Sequence, residues 1–238
     1  MCAPRRARRL TVTSQGYQRF MARPSKAKLA EAVLERHGRT YAEELGIKLA
    51  RPTPSALFRL LCAASLFSAR IDAGIATEAA KNLKRRGWTT AEKLHGSTWE
   101  QRVKALNDAG YTRYQERTAT MLGDMTQTLL ERWDGDLRKL REEAERDPKR
   151  ERTLLKKLKG LGDVGVDIFF REAQVAWDEL DPFADRRARD AAKRLGLGSD
   201  PEQLRKLADG KFPQLVAALV RTELSDDYDA IRDAARAL

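Results

Sequence analysis

The sequence predicts an all-α fold arranged as one two-lobed unit. Apolar residues recur at helical spacing, as at Leu57, Leu60, Leu61, Ala64 and Phe67, and no segment alternates apolar with polar residues convincingly enough to make a strand. Capping chemistry punctuates the chain at short intervals, with Ser25, Thr53-Pro54, Asp72, Asp200-Pro201 and Phe212-Pro213 each standing at the start of a helical run. The 238 residues, 42% of them hydrophobic, can bury a sizeable core.

Residues 1–23 carry Arg5, Arg6, Arg8 and Arg9 without helical periodicity and read as a mobile basic arm, with Met21 as an alternative start. Ser25 is expected to cap a helix reaching His37 and closed by Gly38, and Tyr41 to Leu45 adds another turn or two. Thr53-Pro54 opens the central buried helix, because Phe58, Cys62 and Leu66 make it apolar nearly all round. Asp72 caps the next helix, to Arg86. Two capping boxes, Thr89 with Glu92 and Ser97 with Glu100, start short helices at Thr90 and Thr98. Thr112 with Gln115 opens a long helix to Trp133, and residues 135–150, dense in both charges, read as a solvated helix. Beyond Asp185 come helices opened by Asp200-Pro201, by Phe212-Pro213 and by Asp226 or Asp227.

Lys and Arg number 46 against 35 Asp and Glu, and the net charge of +11 points to a polyanionic partner, nucleic acid first. Cys2 and Cys62 are the only cysteines, so no disulfide framework exists and an intracellular protein is expected. No apolar stretch approaches the roughly 18 residues of a membrane span, and the basic start lacks the apolar region of a secretory signal. His37 and His95 are the only histidines, which leaves no Cys/His metal cluster.

The stretch most loaded with chemistry runs from Glu151 to Gly196. Its centre, Leu158-Lys159-Gly160-Leu161-Gly162-Asp163-Val164-Gly165, sets three glycines between two helical runs. Such a turn lets another backbone approach and leaves the amides of the second helix free for a phosphate. Closely spaced glycines also serve as a plain helix end and packing contact. Lys156, Lys157 and Lys159 suit phosphate neutralisation. Downstream, Pro182-Phe183-Ala184-Asp185 precedes the helical run Arg186 to Gly196, where Asp185 is also a good N-cap in its own right.

Together the hairpin and Asp185 resemble the helix-hairpin-helix DNA glycosylases of the endonuclease III superfamily, in which an L-P-G-V-G hairpin is followed by an aspartate at a helix start. The resemblance extends loosely from Thr53 to about Leu224 and includes Ser68-Ala69-Arg70-Ile71-Asp72, which matches an L-L-S-A-Q-x-x-D segment with Arg70 for the glutamine. It implies a two-lobed helical glycosylase architecture with a cleft between lobes, one lobe holding 53–165 and the other 24–52 plus 166–238. It implies that Asp185 stabilises the sugar cation as an N-glycosidic bond breaks, and that Gly160, Gly162 and Gly165 with the three lysines hold DNA backbone. Arg70 would fill the gap left by an extruded base, and Tyr111 would wedge the opposite strand. Bifunctional members carry a lysine at the fourth position after the first hairpin glycine; here that position is Val164, in the base pocket, so water is the expected nucleophile and no lyase step follows. Lys159 stands where the family has proline, a further departure.

Many relatives bind an iron–sulfur cluster through four C-terminal cysteines, which this chain lacks, so no cofactor is expected beyond a monovalent cation that the hairpin carbonyls could hold. The implied protein is a monomer on double-stranded DNA in the cytoplasm, at the nucleoid. The alternative is a helix-hairpin-helix DNA-binding protein without catalysis.

Overall fold

The computed structural model describes residues 23–238, so the expected basic arm lies, but for Arg23, outside the described residues. Their regular structure is all helical, with no strand among the described residues. In chain order the helices are α1 (Lys26–His37), α2 (Tyr41–Glu44), α3 (Pro54–Phe67), α4 (Ala73–Arg85), α5 (Ala91–His95), α6 (Trp99–Asp108), α7 (Gln115–Trp133), α8 (Leu137–Glu143), α9 (Pro148–Leu155), α10 (Asp163–Ala173), α11 (Arg186–Leu195), α12 (Pro201–Leu207), α13 (Phe212–Ser225) and α14 (Tyr228–Ala237).

The caps explain most starts. Ser25 Oγ accepts from Lys28 N, Thr53 caps α3 with proline following, and Asp72 accepts from the amides of Gly74 and Ile75. The two expected caps sit one residue later than predicted, and only one is a capping box: Thr90 caps α5 by its own hydroxyl alone, and Thr98 with Gln101 forms the box of α6. Each sequence pair, Thr89-Thr90 and Ser97-Thr98, offers two adjacent hydroxyls, and only the second has its oxygen over the first turn. The long helix α7 starts at Gln115 with no side-chain cap, so Thr112 does not open it.

Helix α3 is the centre of the first core. Ala56 to Phe58 and Leu60 to Ser65 are buried, and the helix packs against α4, α7, α8 and α10. The segment 135–150 is not one solvated helix but parts of α8 and α9, joined by a turn. Leu137, Leu140 and Ala144 enter the core there, while the abundant charges face outward. Glu151 of α9 is a buried exception. Neither of its carboxylate oxygens meets a donor, and burial first, then neighbouring Glu179, pushes its pKa up to about 8. Burial works against the charge on Glu179 too, but hydrogen bonds from Arg141 and Glu151, a backbone amide and the Arg141 charge together outweigh it, and the Glu179 pKa falls to about 2.

Two apolar clusters divide the chain at points other than the expected ones. Ala42, Leu45, Ile47 and Leu49, together with Val166, Phe169, Phe170, Ala173, Trp177 and Leu180, belong to the core built on α3. The second cluster gathers α1 with α11 to α14. The apolar face of α10 meets α3, so the hairpin and both of its helices stand on the first core; the chain passes to the second only at Ala184.

Candidate functional site

The hairpin between α9 and α10 is a tight turn closed by Lys157 N to Leu154 O and Leu158 N to Leu155 O, both 3.0 Å, and pinned by buried Leu158 and Leu161. Gly160 has φ +85°, and a Cβ there would lie 3.1 Å from Ser65 Oγ and 3.2 Å from Met121 Cβ. It serves both the turn and a close approach to α3 and α7. Gly165 packs under the hairpin, where a Cβ would come 3.3 Å from Leu161 Cγ. Gly162 differs: it is the N-cap of α10, no side chain caps that helix, and a Cβ would meet nothing within 4 Å. The first-turn amides of α10 therefore open on free space, the geometry that accepts an anion. Asp163, which would oppose one, is turned to the stem. A 2.8 Å bond from Lys156 Nζ engages its Oδ1, and that hydrogen bond holds its carboxyl below the usual range.

Hairpin residues Lys156 to Gly162 form one wall of a cavity of about 740 Å³, with Arg70, Tyr111, Tyr114 and Arg117 among the other lining residues. Among the described residues, five cations and no carboxylate line it. Lys156 is paired with Asp163; Lys157, Lys159, Arg70 and Arg117 have no carboxylate within ion-pair distance among the described residues.

A second cavity, of about 690 Å³, shares Ser68, Ala69 and Arg70 with the first and contains Asp185. Its α10 wall is Val164, Asp167, Ile168 and Arg171, which share one face of the helix. Val164 and, from α13, Leu224 line it as exposed apolar residues, at 59% and 49%. Asp185 is the N-cap of α11 and is 6% exposed. Its Oδ1 accepts from Ala188 N at 2.9 Å and its Oδ2 from Arg171 Nη1 at 2.6 Å. Arg171 is equally buried; burial works against its charge, but Asp185 and then Glu172 raise its pKa. Glu172 accepts from Ala42 N at 2.8 Å, yet its pKa is raised because burial outweighs Arg171. Among the described residues no lysine lines this cavity.

No family model matches the chain, and no curated protein matches it. A solved structure of a trapped endonuclease III–DNA covalent intermediate, in an estranged-adenine complex, aligns over 83% of this chain and 85% of that one, at 16% identity and a TM-score of 0.47. That likeness names no activity here.

Of the residues singled out in the sequence, Asp185, Val164 and Arg70 line one cavity, and Arg70, Lys156, Lys157, Lys159, Gly160, Gly162 and Tyr111 line the other. Tyr111 is a correction. It is 0% exposed within the first core, and its hydroxyl donates to Leu66 O, so the ring cannot enter a duplex without leaving the core. Thr112 and Arg113 are the exposed residues beside it. Sequence reasoning missed Arg171, Glu172 and Tyr41. The signal for the first two was present: charges at 171 and 172 close the apolar run Ile168-Phe169-Phe170, on a helix whose burial leaves them little solvent. Among the described residues no group of three or more His, Cys, Asp or Glu could hold a metal ion, and no helix is long and apolar enough to cross a membrane.

Proposed function

We propose that the chain is a DNA N-glycosylase of base-excision repair that hydrolyses the bond to a damaged or mismatched base with water and performs no lyase step. One observation carries this: a carboxylate at a helix N-terminus lies in a cavity that adjoins one bounded by a glycine hairpin, whose charged lining residues among the described residues are all basic. Breaking the N-glycosidic bond builds positive charge on the sugar, and a fixed anion in a partly dry site lowers that barrier. Asp185 supplies the anion and orients or deprotonates the water. Val164, at the position the lyase lysine would take, offers no amine for a Schiff base. The α10 amides and the lysines hold phosphate, Arg70 fills the gap of the extruded base, and the wedge falls to the exposed part of the 111–114 loop, Arg113. On this proposal the protein acts as a monomer on double-stranded DNA in the cytoplasm, at the nucleoid, without an iron–sulfur cluster.

A second reading, a non-catalytic helix-hairpin-helix DNA-binding protein, is favoured by the Arg171–Asp185 pair, which offsets the charge of the carboxylate. Duplexes carrying single lesions separate the two. The glycosylase makes an abasic site from at least one lesion, yields no borohydride-trapped adduct, and loses activity by orders of magnitude in Asp185→Asn. Binding without excision of any lesion selects the second reading, and an efficiently trapped adduct rejects the water mechanism.

A further inference from the structure

We propose that Arg171 is a positioning residue that holds the Asp185 carboxylate in its reactive orientation, an inference that rests on Asp185 being the catalytic anion. Capping α11 needs one oxygen of Asp185, and Ala188 N already takes Oδ1. The bond from Arg171 Nη1 to Oδ2 is additional to the cap, and with it both oxygens are held and the carboxylate cannot turn about its bond. Packing alone does not account for this arrangement, although the guanidinium also stands 5.6 Å from the centre of the Tyr41 ring. Burying a guanidinium is costly, and Arg171 Nε and Glu172 Oε1 are left without hydrogen-bond partners at 3.6 Å from each other. The position of Arg171 on α10 supplies a reason. It lies two turns after Val164 on the face that lines the cavity, on the same helix whose first-turn amides open at the hairpin. One rigid helix thus connects the DNA-backbone site to the carboxylate, so that a phosphate held at the hairpin fixes where the sugar stands relative to Asp185. Arg171 acts through Asp185 and touches no reacting atom.

The test measures single-turnover excision, duplex affinity and helicity for the wild type, Arg171→Met, Arg171→Lys, Asp185→Asn and the double variant Arg171→Met/Asp185→Asn. Arg171→Met is expected to slow excision about 10- to 100-fold, the size seen when an outer partner of a working group is removed. Duplex affinity should stay unchanged, Arg171→Lys should recover part of the rate, and the double variant should be no slower than Asp185→Asn. A folded Arg171→Met with the wild-type rate overturns the assignment, as does a double variant slower than Asp185→Asn by the full loss of the single change. If Arg171→Met does not fold, the double variant, which removes both charges together, and Arg171→Lys decide by the same comparison. A wild type that excises no lesion defeats the reading of Asp185 itself, whereas an active wild type indifferent to Arg171 defeats only this proposal.

Discussion

At the scale of single residues, Asp185 was legible and its partner was not. A carboxylate before a helical run in Pro182-Phe183-Ala184-Asp185 announces a cap from local sequence, and Oδ1 makes that bond. The bond from Arg171 joins residues 14 positions apart on different helices, and no local pattern encodes it. Glu151 is similar: an i, i+4 view of α9 places it among exposed charges, yet it is buried, with Glu179 approaching it from beyond α10. Its folded pKa of about 8 lies above the ordinary glutamate value of 4.5, so the native state binds a proton that the unfolded chain releases between those values. Stability from this group is complete below pH 4.5 and is lost as pH rises through about 8. Urea unfolding at pH 6 and pH 8.5 should show wild type losing more stability than Glu151→Gln over that interval; equal losses would remove the assignment.

Among the elements, helices and most of their starts were readable, because apolar period and capping residues are local properties. The misses have physical causes. Adjacent hydroxyls at Thr89-Thr90 and Ser97-Thr98 compete for one cap, and charge density at 135–150 concealed the few apolar residues that decide burial. In the hairpin, equal-looking glycines have unequal roles. Gly160→Ala forces an L residue to φ +85° and pushes a methyl toward Met121, and should cost at least about 1–2 kcal/mol. Gly162→Ala meets open space and should leave the melting temperature nearly unchanged while weakening binding to matched and lesion-bearing duplexes alike. Thermal melts and duplex titrations of the two variants check this. Weakened stability with intact binding in Gly162→Ala would reverse the assignment.

For the whole molecule, the all-α class was legible and the division of the cores was not. The face of α10 is apolar whichever neighbour covers it, and only tertiary packing assigns it to α3. The charge of +11 suggests a polyanion partner without locating it; the cavity beside the hairpin, whose charged lining residues among the described residues are all basic, is the place proposed for it. If Lys157, Lys159, Arg70 and Arg117 meet phosphates, log affinity falls with log salt by about 0.9 per contact. Removing Lys159 as Lys159→Ala should make that slope shallower by about one unit, equally for matched and damaged duplexes. An unchanged slope would place the phosphates elsewhere. The buried Glu151 also makes folding a reaction that consumes hydrogen ions at neutral pH. Heat absorbed on unfolding then includes the ionisation heat of whichever buffer takes up the released proton. Calorimetric enthalpies in phosphate and in Tris at pH 7 should therefore differ for the wild type by more than for Glu151→Gln, so unfolding heats of this protein are comparable only within one buffer.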